Sequence, residues 1–232
     1  EHGCDIGIAT DGDADRLGVI DDKAEFLHPN KILVLLYYYL MRYRGWRGAA
    51  VRNLATTHLL DRIAEDFGET CYEVPVGFKY VSAKMVETGA IIGGESSGGL
   101  TVRGHIQGKD GIYAAALLVE AIAKTGRRLS ALWDEITQKY GAAEMAEHDF
   151  HFSSAERTRI FKLLMEDKQL PEFPCEIAKV SYMDGCKVYF KNGGWVIARF
   201  SGTEPLLRVF CEMDTMENAE KFAKILTEFL SL

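Results

Sequence analysis

The sequence predicts an α/β protein: a mixed, mainly parallel α/β domain followed by a smaller α+β domain with an antiparallel sheet. Up to about residue 92, short apolar runs typical of strands alternate with helical patterns, as they do around parallel sheets. Beyond about residue 141, strand-like runs follow one another with only short turns between them, as in antiparallel sheets. The 232 residues suffice for two modest domains.

In the first domain, each predicted strand is a short apolar run bounded by polar residues or glycine. The predicted strands are residues 6–9, 17–20, 49–54, 70–74 and 90–92. Helical patterns lie between and after them: Pro29 suits a first turn, Thr56 and Thr57 are cap candidates, and Gly89 can end a helix. The predicted helices cover about residues 29–43, 59–67, 78–87 and 111–124. The last of these is apolar over much of its surface, so we expect it to be largely buried.

A short helix at residues 129–140 precedes the predicted junction, near residue 141. Beyond it, Ser153 or Ser154 can cap a helix that runs to about residue 164. The residues 192–194, Asn-Gly-Gly, predict a hairpin turn. The predicted strands are residues 178–182, 186–190, 195–200 and 208–213. A final helix opens with a start resembling a capping box at residues 214–217 and is expected to bury Ala219, Phe222, Leu226, Phe229 and Leu230.

The composition excludes several classes of function. A net charge of −7 argues against a general nucleic-acid or anionic-membrane binder, so an anionic ligand must be held by local basic groups. The longest apolar run, residues 32–40, is far shorter than the roughly 20 residues of a membrane span, and no signal peptide is recognisable. The five cysteines are scattered without metal-site spacing, which favours reduced thiols in a cytoplasmic protein.

The residues 11–16, DGDADR, place three carboxylates at alternate positions between two strand-like runs. Three like charges held this close together are costly without a cation, and Mg²⁺ prefers such oxygen ligands. Arg16 beside them indicates that the remaining ligand is an anion. A solvated turn is the simple alternative. A calcium loop is excluded, because its sixth position, which requires glycine, is Arg16 and its twelfth is Asp22 rather than glutamate.

Two further motifs carry polar groups in turns. The residues 93–99, GGESSGG, follow an apolar run; if this segment is extended, Glu95 and Ser97 point the same way and suit vicinal sugar hydroxyls. The residues 199–208, RFSGTEPLLR, bracket a Ser-Gly-Thr turn with two arginines, whose guanidinium groups match phosphate. The simple alternatives are a flexible loop for residues 93–99 and a solvated turn for residues 199–208. Residues 199–208 lack the GK[ST] ending of a P-loop.

Four motifs, DGDADR, VGFKY (residues 76–80), GGESSGG and RFSGTEPLLR, occur in this order in the α-D-phosphohexomutase superfamily. The chain resembles the phosphoglucomutase/phosphomannomutase family over nearly its whole length. This resemblance implies an enzyme that interconverts hexose 1- and 6-phosphates with Mg²⁺, through a phosphoserine and a hexose bisphosphate intermediate. Glucose, mannose or both are the implied sugars; a glucosamine phosphate and a non-catalytic sugar-phosphate-binding module are the alternatives.

The resemblance also implies a role for each matching position. It implies that the magnesium ligands are Asp11, Asp13 and Asp15, and that the catalytic residues are Arg16, Lys79, His105 and Lys109. It implies that Glu95 and Ser97 bind hydroxyl groups of the sugar. The implied phosphate site consists of Arg199, Ser201, Gly202, Thr203 and Arg208.

One part of the family pattern is missing. The phosphoserine loop, typically T-A-S-H-N-P, does not occur in this sequence, nor does the family's first domain. The expected organisation is therefore the end of a second domain with the metal loop at residues 1–24, a sugar-binding domain at 25–140 and a phosphate-binding domain at 141–232. The missing N-terminal domains are the expected partner in the same protein.

Overall fold

The computed structural model describes residues 3–202 and 204–232, which form two compact units. The first unit ends at Gly141, and the second is Ala142–Leu232. All five cysteines are free thiols. Among the described residues, every helix is too short or too polar to span a lipid bilayer. The fold class agrees with the prediction: a mainly parallel sheet in the first unit and an antiparallel sheet in the second.

The described residues of the first unit form two sheets and five helices. An antiparallel sheet has the order β1-β2-β3, and a mixed sheet has the order β5-β4-β6-β7, in which only the β6–β7 pair is antiparallel. The strands are β1 (Gly7–Thr10), β2 (Leu17–Ile20), β3 (Phe26–Leu27), β4 (Ala50–Asn53), β5 (Cys71–Val74), β6 (Ile92–Gly94) and β7 (Leu100–Val102). The helices are α1 (Pro29–Arg42), α2 (Leu59–Asp66), α3 (Phe78–Thr88), α4 (Gly111–Thr125) and α5 (Leu129–Tyr140).

Helix α1 forms the centre of the first unit. All ten residues from 32 to 41 are buried, as the long apolar run predicts. Each large apolar side chain that becomes fully buried contributes about 1.5–3 kcal/mol. The helix starts at Pro29, and the imidazole of His28 accepts a hydrogen bond from the Asn30 N–H. This packing fixes the scaffold on which the loops of the first unit are mounted.

The second unit is a five-stranded antiparallel sheet of order β8-β12-β11-β10-β9. Helices α6 and α7 contribute to the same hydrophobic core as one face of this sheet. The strands are β8 (Glu144–His151), β9 (Ile177–Ser181), β10 (Cys186–Phe190), β11 (Trp195–Phe200) and β12 (Leu206–Met213). The helices are α6 (Ser154–Phe161), continued by a π-helical turn at Lys162–Glu166, and α7 (Met216–Phe229). Ser153 caps α6 in a full capping box with Glu156.

Several local predictions were wrong. Strands β3, β7 and β8 were missed, because two are very short and β8 alternates mainly polar residues at the sheet edge. Helix α4 is not largely buried, since Ile112 and Val119 are 66% and 48% exposed. Thr215 caps α7 by accepting from the Asn218 N–H, but no capping box forms, because the Asn218 side chain donates to Asp214 instead.

Asp22 connects the turn after β2 to the start of α5. Its side chain is 6% exposed, and its two oxygens accept hydrogen bonds from the Ser130 N–H (3.1 Å) and hydroxyl (2.8 Å). Burial opposes ionisation, but the hydrogen bonds from Ser130 outweigh it and lower the pKa of Asp22. The carboxylate therefore supplies a cap to a helix 108 residues away in sequence.

Replacing Asp22 by Ala is expected to lower the free energy of unfolding by about 1–3 kcal/mol at pH 7, because hydrogen bonds to a charged group are lost. The folded-state pKa lies below the unfolded value of about 3.9, so the contribution is complete above that value and disappears as the pH falls through the folded pKa. Urea unfolding at pH 7, 5 and 3 measures the gap between the two proteins. Asp134→Ala, at a 60% exposed side chain, is the control. A gap independent of pH would contradict the assignment.

Candidate functional site

The metal loop, residues 10–16, connects β1 to β2 in a tight turn. The Ala14 N–H donates to the Asp11 carbonyl oxygen (3.1 Å), and Ala14 has a left-handed φ of 58°. The Arg16 N–H donates to Oδ1 of Asp11 (3.2 Å). One carboxylate oxygen from each of Asp11, Asp13 and Asp15 lies within 4.8 Å of the other two. The turn therefore brings the three predicted ligands together.

The donor set fits a divalent cation. Oδ1 of Asp15 is buried and makes no hydrogen bond to the described residues; Nε of Arg16, at 3.6 Å, is too far away to donate one. A buried oxygen left in this way is costly unless a cation satisfies it. Mg²⁺ requires hard oxygen ligands, which the three carboxylates supply. The other oxygen, Oδ2, pairs with the ammonium of Lys109. The hydrogen bond from Lys109 lowers the pKa of Asp15, although burial acts in the opposite direction.

Glycines allow two distant segments to approach the metal loop. The Gly111 N–H, at the start of α4, donates to the Ala14 carbonyl oxygen (2.9 Å). A Cβ atom at Gly111 would lie 2.6 Å from the carbonyl oxygen of Arg16. Gly99 forms an isolated antiparallel bridge with Arg16, and a Cβ there would overlap the side chain of Lys109. The metal loop is thus in direct contact with segments about 80–100 residues further along the chain.

The sugar loop, residues 94–99, connects β6 to β7. It is a turn rather than an extended segment, because the Gly98 N–H donates to the Glu95 carbonyl oxygen (3.0 Å) and the Glu95 N–H to the Gly99 carbonyl oxygen (3.0 Å). Glu95 is therefore buried, at 8% exposed, whereas Ser97 is exposed at the tip. The condition under which Glu95 and Ser97 would point the same way, an extended segment, is therefore not met in this loop.

The carboxyl ends of the parallel strands β4, β5 and β6 carry polar groups at one edge of their sheet. Oε1 of Glu95 accepts hydrogen bonds from the Asn53 amide (2.9 Å) and from the Gly77 N–H (3.0 Å). Gly77 precedes α3, whose second residue is the exposed Lys79, with its ammonium 4.8 Å from the Tyr80 ring centre. In open α/β sheets this edge is where ligands bind. The sequence motifs did not identify Asn53; its position directly after a strand was the available signal.

His105 is held by a carboxylate. Its Nε2 lies 2.7 Å from Oδ2 of Asp110, and its ring stacks on Tyr113 at 3.9 Å. Asp110 also caps α4, since its Oδ1 accepts from the Tyr113 N–H (2.8 Å). That backbone hydrogen bond, together with His105, lowers the pKa of Asp110. Asp110 was not predicted as a site residue, although an aspartate just before a helix is a common cap.

In the second unit, Arg199 of β11 lies directly opposite Arg208 of β12. Like charges opposite each other in a sheet are unfavourable, so the pair suits an anion. Arg199 donates to Asp184 (2.8 Å), and Arg208 to Glu204 (3.1 Å). Nε of Arg208 is buried and makes no hydrogen bond to the described residues.

The turn between these strands begins at Ser201, whose N–H donates to the Leu206 carbonyl oxygen (2.8 Å) and whose hydroxyl accepts from the Glu204 N–H (3.3 Å). Gly202 has open space where a Cβ atom would stand. Thr203, also predicted in the phosphate site, lies outside the described residues.

The predicted residues therefore fall into two groups. The first unit carries Asp11, Asp13, Asp15, Arg16, Lys79, Glu95, Ser97, His105 and Lys109, and the second carries Arg199, Ser201, Gly202 and Arg208. Within the first unit, the metal loop contacts Lys109 through Asp15 and the sugar loop through the bridge from Arg16.

Comparison with known proteins identifies both units. Residues 28–140 match the family model "Phosphoglucomutase/phosphomannomutase, alpha/beta/alpha domain III", and residues 161–228 match the model of the C-terminal domain of the same family. A phosphoglucomutase/phosphomannomutase of Thermococcus kodakarensis is 34% identical over 96% of this chain and 46% of its own length. A Pyrococcus furiosus protein named "Probable phosphoglucosamine mutase" is 31% identical over 97% of this chain and 47% of its own.

The fold also matches a solved structure. N-acetylphosphoglucosamine mutase of Aspergillus fumigatus, in complex with GlcNAc-6P and magnesium, superposes with a TM-score of 0.60 at 17% identity, over 95% of this chain and 51% of that one. This likeness concerns the fold alone. The chain spans about half the length of the curated relatives that it matches. It belongs to the phosphoglucomutase/phosphomannomutase family and corresponds to the C-terminal half of its members.

Proposed function

We propose that this chain is the C-terminal part of a magnesium-dependent phosphohexomutase that interconverts the 1- and 6-phosphates of glucose, mannose or both. The reaction would proceed through a phosphoserine enzyme and a hexose bisphosphate. The observation that carries the proposal is the convergence of Asp11, Asp13 and Asp15 in a loop that contacts both Lys109 and the sugar loop. A cation-binding loop beside a sugar site is what phosphoryl transfer between sugar oxygens requires.

Asp11, Asp13 and Asp15 would hold the magnesium ion. When bound, it would stabilise the negative charge of the phosphoryl group in transfer. The proposal is supported by Oδ1 of Asp15, which is buried and makes no hydrogen bond to the described residues. Arg16, with Nε 3.6 Å from Asp15, would face the phosphoryl group from the same loop.

We propose that Glu95 and Ser97 bind the sugar through the 3- and 4-hydroxyls that glucose and mannose share. Lys79 would lie close to the sugar from the neighbouring loop. Since Nε2 of His105 faces Asp110, its Nδ1 would be the nitrogen available to exchange a proton, and Lys109 would supply positive charge. Arg199, Ser201, Gly202, Thr203 and Arg208 would bind the phosphate that is not being transferred. The free thiols support the proposed cytoplasmic location.

A phosphoglucosamine mutase is the second candidate. It is favoured by the Pyrococcus furiosus relative, which is named "Probable phosphoglucosamine mutase". Ratios of kcat/KM for glucose, mannose and glucosamine phosphates, measured with the full-length protein, decide between the two. A preference of tenfold or more for the glucosamine phosphate would replace our first proposal.

The chain by itself is expected to turn over no glucose 1-phosphate and to bind Mg²⁺ weakly, because the phosphoserine that donates the phosphoryl group and completes the metal site is absent from its sequence. The full-length protein should be active after priming with glucose 1,6-bisphosphate. A coupled assay for glucose 6-phosphate and calorimetry with Mg²⁺ measure both. Turnover by the isolated chain would contradict the phosphoserine mechanism, and an inactive full-length protein that still binds hexose phosphate would favour a non-catalytic module.

A further inference from the structure

A network of buried polar groups lies behind Glu95. Asn53, at the end of β4, is 2% exposed, and Thr56 is fully buried. The Asn53 carbonyl Oδ1 accepts hydrogen bonds from the Ala55 N–H (2.9 Å) and the Thr56 hydroxyl (2.8 Å), while its amide nitrogen donates to Glu95 (2.9 Å). Buried polar groups that are satisfied in this way rigidify their surroundings.

The network fixes which end of the Asn53 amide faces the carboxylate. The Ala55 N–H can only donate, so the carbonyl oxygen of Asn53 must face it and the NH₂ group must face Glu95. Thr56 secures this orientation from the other side. Its hydroxyl donates to Asn53 and its oxygen accepts from the Ser96 N–H (3.1 Å), which also ties the sugar loop to the loop after β4.

The two oxygens of Glu95 consequently differ. Oε1 accepts from both Asn53 and the Gly77 N–H, whereas Oε2 has no hydrogen-bonding partner among the described residues. Because an ionised carboxylate only accepts hydrogen bonds, Oε2 remains available to hydroxyl groups that donate. Without the Asn53 contact, the carboxylate would be held by the Gly77 N–H alone and could rotate away from this orientation.

We propose that Asn53 and Thr56 are positioning residues that orient Glu95, so that Oε2 is presented to the hydroxyls of the substrate. This inference rests on the proposed function, in which Glu95 reads the 3- and 4-hydroxyls of the sugar. Neither residue touches the ligand; both act through Glu95, and Thr56 acts through Asn53 as well. Recognition of the sugar hydroxyls thereby depends partly on residues at and just after the end of β4, the strand next to β6.

The test measures kcat/KM in the full-length protein with glucose 1-phosphate and with its 3-deoxy and 4-deoxy analogues. The wild type should lose about 10–100-fold on an analogue that lacks a hydroxyl read by Glu95, since a hydrogen bond to a charged group is lost. Asn53→Ala and Thr56→Val should lose a similar factor on glucose 1-phosphate but less than about threefold on that analogue. Thr56→Ser, which keeps the hydroxyl, should retain wild-type behaviour.

Thr227→Val is the matched control, because Thr227 is also buried, at 8% exposed, but lies in α7 of the second unit. Suppose that the wild type discriminates between glucose 1-phosphate and the analogues. Equal losses of kcat/KM on glucose 1-phosphate and on the analogues in both Asn53→Ala and Thr56→Val would then overturn the positioning role. A wild type that does not discriminate would overturn the assignment of Glu95 itself, and the inference with it. If Asn53→Ala does not fold, the comparison of Thr56→Val with Thr56→Ser decides.

Discussion

Replacement of Asp15 by Asn is expected to lower kcat of the full-length protein about 10²–10³-fold and to weaken its binding of divalent cations. One negative charge is removed from the three-carboxylate loop, and electrostatic groups that act directly on a reacting phosphoryl group have effects of this size. Asn also cannot form the ion pair that Lys109 makes with Oδ2. Asp15 is the most informative of the three positions, because its Oδ1 is buried and makes no hydrogen bond to the described residues.

The metal affinity gives a readout that does not depend on activity. Electron paramagnetic resonance of free Mn²⁺ during a titration should show at least a tenfold weaker affinity for Asp15→Asn than for the wild type. Asp5→Asn, at a side chain that is 64% exposed and outside the loop, should bind Mn²⁺ as the wild type does. Unchanged Mn²⁺ affinity in Asp15→Asn would remove this residue from the metal site.

The second large effect is expected at Arg208. Arg208→Ala in the full-length protein should raise KM for glucose and mannose phosphates by about 10–100-fold, because the proposed two-point contact of its guanidinium with phosphate is lost. Arg208→Lys should recover only part of this loss, since an ammonium lacks the planar fork. Steady-state kinetics with both substrates provide the measurement.

A structural role for Arg208 makes a different prediction. Its partners Glu204 (3.1 Å) and Asp149 (3.6 Å) are exposed carboxylates, and such ion pairs contribute little to stability. Its position opposite Arg199 places two like charges side by side, which is unfavourable. The melting temperature of Arg208→Ala should therefore stay close to that of the wild type. An unchanged KM, or a substantial loss of thermal stability, would contradict the phosphate site.

The sequence predicted most elements whose pattern is strong and local. Strands β2, β10 and β11 and helix α5 have the predicted limits, because each is a clear apolar or amphipathic run with a turn residue nearby. Strand β8 could not be recognised, since its polar residues become a strand only by pairing with β12 at the edge of the sheet. Burial of α4 was overestimated, because composition does not reveal which side of a helix a neighbour covers.

The candidate site shows the same limit. Asp11, Asp13 and Asp15 were found because they lie in one short motif whose charges explain each other. Asn53 was not, since its partner Glu95 lies 42 residues further along the chain and only the parallel pairing of β4 with β6 brings them together. Residues that bind a ligand tend to form motifs, whereas those that orient them are defined by the fold.

The glycine at the start of α4 has a consequence for the tolerance of this chain to mutation. Gly126, which ends the same helix, has a left-handed φ of 64°, a conformation that asparagine or aspartate can also adopt. Gly111 does not have a left-handed φ, but the backbone of Arg16 occupies the space that a side chain at this position would need. Position 126 can therefore vary among a few residue types, whereas any side chain at position 111 would push the helix away from the loop that carries the three carboxylates.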